Sequence, residues 1–379
     1  ERLPVPGDKR DAFFLYRLLS LPIIMGETAD KRCGGEASME ETCRLEERDI
    51  VYSLTILPGV GRKTLYQLYQ RLGSYHALLA EDSRALLAAM QLPRSVQDAI
   101  SRAMNRRQVL ADKQARIRRG ISFVCFLDEQ FPPLLREIPD PPAVLFYRGN
   151  LALLSRPMLG VVGTRRPTAY GKAACRYVTA GLCQAGFVIV SGLAQGIDAE
   201  AHRSALEQGG GTVAVLGGGI DQIYPRQNRP LYQQIAQSGL LLAEYAPGEP
   251  PRPGMFPERN RLISGLSLGV LIVEAAERSG SLITADCALE QGKEVFALPG
   301  PIFSRASAGP HQLIKQGAKL VTSVQDIIEE FPGCAASGEA PSSPKSAELA
   351  ADERQLLALI GYEPVHWEAL FAQLDPAAR

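Results

Sequence analysis

The sequence predicts an α/β chain organised on an extended Rossmann-like, doubly wound and mainly parallel sheet, with a helical domain before it and a short helical segment after it. Three observations carry this. Between Met158 and Phe331 a strand–turn–helix unit recurs, which is how doubly wound domains are assembled. Its strands are apolar without alternation, as strands covered by helices on both faces are. Glycines and small hydroxyl residues collect where those strands end.

Taken in order, residues 1–47 are an extension to which no role is assigned. Leu15 to Leu19 reads as a helix, and Gly26 to Thr42 as a charged, glycine-containing loop. Residues 48–119 read as a helical domain. Val51, Leu54 and Leu57 lead into Pro58-Gly59-Val60-Gly61, and Leu65, Leu68 and Tyr69 follow. This is a helix-hairpin-helix pattern, whose glycine turn either offers N–H groups to a DNA phosphate or only packs. Val96 to Arg119 reads as one long helix, and its Arg102, Arg106, Arg107, Lys113, Arg116, Arg118 and Arg119 as a solvated face.

The sheet domain is expected over residues 120–332. Ile121 to Phe126 and Ala143 to Tyr147 read as strands that extend the sheet, joined through Phe131-Pro132-Pro133 and Asp140-Pro141-Pro142, where proline enforces extended or turn geometry. Met158 to Val162 stops at Gly163-Thr164-Arg165-Arg166-Pro167, and a helix starts near Tyr170. Phe187 to Val190 reaches Ser191-Gly192, and Thr212 to Leu216 reaches Gly217-Gly218-Gly219. Leu240 to Ala243 ends at Glu244, Gly269 to Val273 at Glu274, and Glu294 to Leu298 at Pro299-Gly300. Residues 333–345, rich in Ala, Ser, Pro and Gly, read as a flexible linker. In 346–379, Asp352 to Ile360 and His366 to Leu374 read as two short helices.

Composition narrows the function. Lys+Arg and Asp+Glu are both 41, so the net charge is zero, and any nucleic-acid site has to be a local patch. The seven cysteines are scattered without a CxxC pair, which argues against zinc and for a reduced, cytoplasmic setting. There is no apolar run long enough for a membrane span. The chain starts at Glu1, which reads as a processed, trimmed or partial chain.

In open α/β sheets ligands bind beyond the carboxyl ends of the strands, at the switch in strand order. Here that rim is rich in glycines, hydroxyls and arginines, chemistry suited to phosphodiesters. Neither G-x-G-x-x-G nor G-x-x-x-x-G-K-[ST] is present, so a bound nucleotide cofactor is not expected. Arg165 directly follows the first strand and is expected to contact phosphate; the alternative is an ion pair with Glu244 or Glu274. Thr164 and Arg166 share its loop. Arg259 and Arg261 lie two apart, so on a helix they diverge by about 200°, and one is expected to reach the ligand while the other fixes the loop. Asn260 is a candidate for the same ligand, with a helix cap as the alternative. Ser279-Gly280-Ser281 offers hydroxyls and N–H groups to a phosphate, or a cap, or both.

Ser191 belongs to the same rim. Gly192 and Gly217 are expected for backbone shape, with ligand approach as its purpose. Phe256 and Tyr170 are candidates for base stacking, with core packing as the alternative, whereas Tyr224 looks structural. Asp198 and His202 lie four apart, yet no third ligand suits a metal. Asp198 then caps a helix or orients the Gly163 loop. No nucleophile–base set is evident.

Several of these stretches occur together and in order. They are Gly163-Thr164-Arg165, Ser191 to Asp198 (Ser-Gly-Leu-Ala-Gln-Gly-Ile-Asp), Ala201-His202, Tyr224-Pro225 and Phe256 to Arg261 (Phe-Pro-Glu-Arg-Asn-Arg). Val273-Glu274-Ala275, Ser279 to Ala285 and Leu298-Pro299-Gly300 continue the series. In this the chain resembles the bacterial DNA-processing protein A (DprA/Smf) family. The resemblance implies a non-catalytic protein of natural transformation and homologous recombination. Such a protein binds and protects single-stranded DNA, helps load the RecA recombinase, and is usually a homodimer, with single-strand-binding protein as a further candidate partner. It also implies that the helical domain is SAM-like and that the C-terminal helices are the first two of a winged helix. Because the sequence stops at Arg379, before a recognition helix and wing, duplex recognition is not expected of this segment. The alternative function is a nucleotide-monophosphate phosphoribohydrolase on the same scaffold, although Glu274 to Ser281 lacks that enzyme's Pro-Gly-Gly-x-Gly-Thr loop.

Overall fold

The structure, a computed structural model, describes residues 44–334 and Glu368. The expectations for Leu15 to Leu19, for the linker beyond residue 334, and for the helices at 352–360 and 366–374 lie outside the described residues.

Among the described residues nine strands form one sheet. In chain order they are β1 (Ser122–Cys125), β2 (Val144–Gly149), β3 (Met158–Val162), β4 (Val188–Ser191) and β5 (Thr212–Leu216). β6 (Leu240–Ala243), β7 (Gly269–Ile272), β8 (Glu294–Ala297) and β9 (Lys319–Leu320) complete it. The order across the sheet is β1-β2-β6-β5-β4-β3-β7-β8-β9. From β6 to β9 all pairs are parallel, while β1 pairs with β2, and β2 with β6, antiparallel. The chain winds outward from β3 through β4, β5 and β6, then returns to place β7 against the other side of β3. The switch in strand order therefore lies between β3 and β7.

Alternation along the strands sorts the core onto two faces. Met158, Val190, Val215, Leu242, Ile272 and Ala297 point to one side, which is covered by the short α6 (Pro133–Arg136), α10 (Met255–Leu266), α11 (Gly280–Glu290) and α12 (Ala308–Lys315). Leu159, Val161, Ile189, Leu271 and Phe296 point to the other. There α7 (Ala169–Gln184) and α8 (Ile197–Glu207) pack on the centre of the sheet, and α9 (Arg229–Ser238) beside them. Both faces are dry, which is why these strands carry no polar alternation.

The helical region shares this second face. Its α1 (Glu47–Thr55) and α2 (Arg62–Leu72) flank the turn Leu57–Gly61, and the short α3 (Ser83–Ala88) follows. Ile50, Leu54, Leu68, Tyr75 and Val109 join one apolar cluster with Phe123, Phe146, Ala214, Leu216 and Leu241 of the sheet. The described residues from Leu45 onward accordingly form one compact unit.

The expected single helix from Val96 to Arg119 is two helices, α4 (Arg94–Ala103) and α5 (Arg106–Arg118). The break is at Asn105, whose side chain accepts from the Gln108 N–H at 2.9 Å and starts a new helix. Nor is the cationic face wholly solvated. Lys113 and Arg116 reach the buried Asp49 at 2.9 and 3.3 Å, and the Arg116 guanidinium lies over the Phe123 ring, so both lock α5 to α1 and the sheet.

Candidate nucleic-acid interface

A cleft of about 660 Å³ opens at the switch point, above the carboxyl ends of β3 and β4 and between the starts of α10 and α11. The loop after β3 forms one wall. It is held by its backbone: Thr164 N–H donates to Glu274 O at 2.6 Å, and Thr164 O accepts from Ile197 N–H at 3.1 Å. Thr164 Oγ1 accepts from Arg166 N–H at 3.2 Å. Gly163 has no room for a Cβ, which would press on Ile197 and Glu274 O at 2.8–2.9 Å. The wall is thus rigid, while its guanidinium groups are not engaged. Arg165 and Arg166 are exposed and line the cleft, and neither guanidinium has a protein partner among the described residues. The alternative ion pair is not formed. Glu274 accepts from the Thr168 N–H and hydroxyl at 2.9 and 2.5 Å, and Glu244 is taken by Arg261.

The opposite wall is the start of α11. Ser279 caps the helix, accepting from Ser281 N–H, and its hydroxyl also pairs with that of Ser281 at 2.7 Å. A Cβ on Gly280 would meet nothing within 4 Å, so the backbone there is open to a ligand. Asn260 is not a cap, since α10 begins at Met255; its side-chain amide instead donates to Gly280 O at 3.2 Å and ties the two helix starts together.

Arg259 and Arg261 depart from expectation, because both lie inside α10 and are buried, at 5% and 8% exposure. Arg259 reaches the floor of the cleft but donates to the carbonyls of Gly192 and Val215, and burial pushes its pKa down to about 10. Arg261 does not line the cleft. Its Nη2 donates to both oxygens of Glu244 at 2.6–2.7 Å, and burial pushes Glu244 up against that pull. Asp140, Glu258 and Arg62 extend the cluster. Arg62 lies just after the Leu57–Gly61 turn and bonds Asp140 (2.8 Å) and Glu258 (2.6 Å).

Three more expected positions lie beneath or beside the cleft rather than facing it. Ser191 is fully buried and donates to Val161 O at 2.6 Å. The reason for Gly192 is the Arg259 guanidinium, which a Cβ would strike; for Gly217 it is the Phe256 ring, which a Cβ would meet at 2.7 Å. Both glycines make room for side chains, not for ligand. Phe256 does line the cleft. Its ring lies 5.2 Å from that of Tyr224, which is half exposed and lines the cleft too, so Tyr224 is a functional candidate that sequence reasoning took as structural. Its one signal is the Tyr224-Pro225 pair among the family motifs; the long connection after β5 carries it to the cleft. Tyr170 is outside the cleft, with its hydroxyl donating to Pro299 O at 2.6 Å.

Asp198 orients loops, as one of the two expectations had it. Its carboxylate accepts from Gly192 and Ala194 N–H groups. Burial raises its pKa, against the opposing pull of Arg259. His202 is enclosed, bonded through Nδ1 to Thr212 Oγ1 at 2.7 Å, and burial pushes it down to about 3. It is a neutral core imidazole.

Comparison with known proteins bears on the family and the fold. The sequence profile of the family described as DNA recombination-mediator protein A matches residues 122–332. The DNA processing protein DprA of Bacillus subtilis is 50% identical over 214 residues, 56% of this chain and 72% of that protein. The X-ray structure of DNA processing protein A from Streptococcus pneumoniae superposes with a TM-score of 0.56 at 40% identity, covering 71% of this chain and 98% of that one. DNA processing protein A from Helicobacter pylori, solved for its single-stranded DNA binding mode, superposes with a TM-score of 0.52 at 34% identity, over 57% of this chain and 97% of that one. With more than half of its length inside the profile, this chain belongs to the DNA recombination-mediator protein A family.

Proposed function

We propose that the cleft binds the backbone of single-stranded DNA, and that the chain acts without catalysis in natural transformation and homologous recombination. In this reading it protects incoming single strands and helps load RecA, as a cytoplasmic homodimer with single-strand-binding protein as a further partner. The observation that carries the binding reading is the pair Arg165 and Arg166: two exposed guanidiniums with no protein anion among the described residues, in one cleft with the open Ser279–Ser281 backbone and the Tyr224–Phe256 pair. Arginine forks and helix-start amides suit phosphate, and two rings suit unstacked bases whatever their sequence. Support for the roles with RecA, for the homodimer and for transformation is family membership.

The test is fluorescence anisotropy with single- and double-stranded oligonucleotides at several salt concentrations. Single strands are expected to bind more tightly, with log affinity falling by about 0.7 per phosphate contacted for each log of salt. Equal binding of duplex and single strand, or no salt dependence, would reject the reading. The phosphoribohydrolase alternative needs a carboxylate free to act in the cleft; Glu244 and Glu274 are engaged elsewhere, and Asp198, which lines the cleft, is held by the Gly192 and Ala194 N–H groups. Incubation with nucleoside monophosphates is expected to release no free base; turnover abolished by Glu274→Gln would revive the enzyme.

A further inference from the structure

The phosphate-binding geometry that this fold offers at its switch point is filled from within. After β4 the chain turns through Leu193, whose φ of 55° is left-handed. The N–H groups of Gly192 and Ala194 therefore converge as a nest, an arrangement suited to anions. Oδ2 of Asp198, the second residue of α8, accepts from them at 3.2 and 3.4 Å, and the Gly163 N–H adds a third and weaker interaction. Beside this carboxylate lies the buried Arg259, whose Nε has no partner. Converging amides, the start of an eleven-residue helix and an enclosed guanidinium are together the parts of a phosphate site.

We propose that Asp198 acts as a built-in phosphate mimic. It denies the nest to free phosphate and mononucleotides, and so confines the cleft to phosphates held further out, by Arg165, Arg166 and Ser279–Ser281. The ligand class excluded is the tetrahedral oxyanion, as orthophosphate or a phosphate monoester. Two physical arguments support the assignment. The carboxylate, 6% exposed, already satisfies the donors that such an oxyanion would use. Removing it leaves the Gly192 and Ala194 N–H groups without their acceptor, next to a guanidinium whose Nε has no partner, a costly state that an entering anion relieves.

The experiment measures thermal unfolding of the parent, Asp198→Ala and Asp198→Asn, as full chains, against rising inorganic phosphate at fixed ionic strength. Asp198→Ala is expected to melt below the parent without phosphate. It should then gain a saturable rise in Tm of about 3 °C or more, where the parent gains less than about 1 °C. If the Ala variant does not fold alone, phosphate in the refolding buffer is expected to restore it. An Ala variant that phosphate neither stabilises nor restores overturns the proposal, as does a parent that responds equally. Asp198→Asn keeps an oxygen in the nest and is expected to stay as unresponsive as the parent; a response matching that of Ala would show that occupancy is not what excludes phosphate. None of these readouts involves DNA, so their failure is separate from any failure of the strand-binding reading.

Discussion

Two arginine pairs, one lining the cleft and one reaching its floor only through Arg259, have opposite surroundings. Arg165 and Arg166 extend from a loop whose backbone bonds are complete, and their charges face water. Arg259 and Arg261 project from α10, which packs on the sheet, and their charges meet carbonyls and a carboxylate indoors. An arginine near a ligand rim is available to a ligand only when the protein has not already balanced it. The first pair is free to bind, and the second holds the walls in place.

The contrast is broken most directly at Arg261. Replacement by Ala leaves buried Glu244 with only the more distant Arg62 guanidinium at 3.9 Å and is expected to cost about 3 kcal/mol in denaturant unfolding; a cost near zero would remove the distinction. At Arg165 the expected effects are reversed. Arg165→Ala should leave stability within about 0.5 kcal/mol. It should weaken binding to unrelated single strands by about 1.5–3 kcal/mol, the worth of a charged hydrogen bond, and lower the salt slope by about 0.7. A folded Arg165→Ala protein that binds as the parent does would place the phosphate elsewhere.

Tyr224→Ala is expected to cost about 1–3 kcal/mol of affinity for a strand with bases and little for an abasic strand; equal losses on both would mean the ring does not stack. The smallest effect concerns Arg62. Its hydrogen bond is the main reason that the Asp140 carboxyl is held below the usual carboxylate range. A depressed carboxylate contributes stability that is fully present above its unfolded pKa of about 3.9 and is lost as pH falls through the folded value. The Tm difference between the parent and Arg62→Met should therefore narrow as pH drops below about 4. A difference that is constant with pH would remove Asp140 from the account.

The sheet was legible because buried parallel strands leave an unmistakable trace: Met158–Val162, Thr212–Leu216 and Gly269–Ile272 stand where their apolar runs place them. The wall at Gly163–Arg166 was legible too, since a side chain directly after a strand end has only the rim to occupy. Burial on α10 was not, because it depends on where the helix begins and what it faces, and Glu244 lies 17 residues before Arg261. The room kept by Gly192 and Gly217 was hidden for the same reason: Arg259 is distant in sequence, and nothing local names it. Asn105 did carry a readable cap signal, three residues before the Gln108 N–H it binds, and the run of basic residues masked it. Arg62 carried none, with partners 78 and 196 residues away.

The apolar cluster that joins the helical region to β1, β2, β5 and β6 means that the helical region covers one face of the cleft-bearing sheet. Trimming the chain at Ile121 would unroof Phe123, Phe146, Leu216 and Leu241 and leave a greasy slab facing water, which invites aggregation. A biochemist seeking a minimal strand-binding fragment should keep everything from Leu45 onward, and a mutation deep in the hairpin region ought to be felt at the far end of the sheet as lost solubility before it is felt as lost binding.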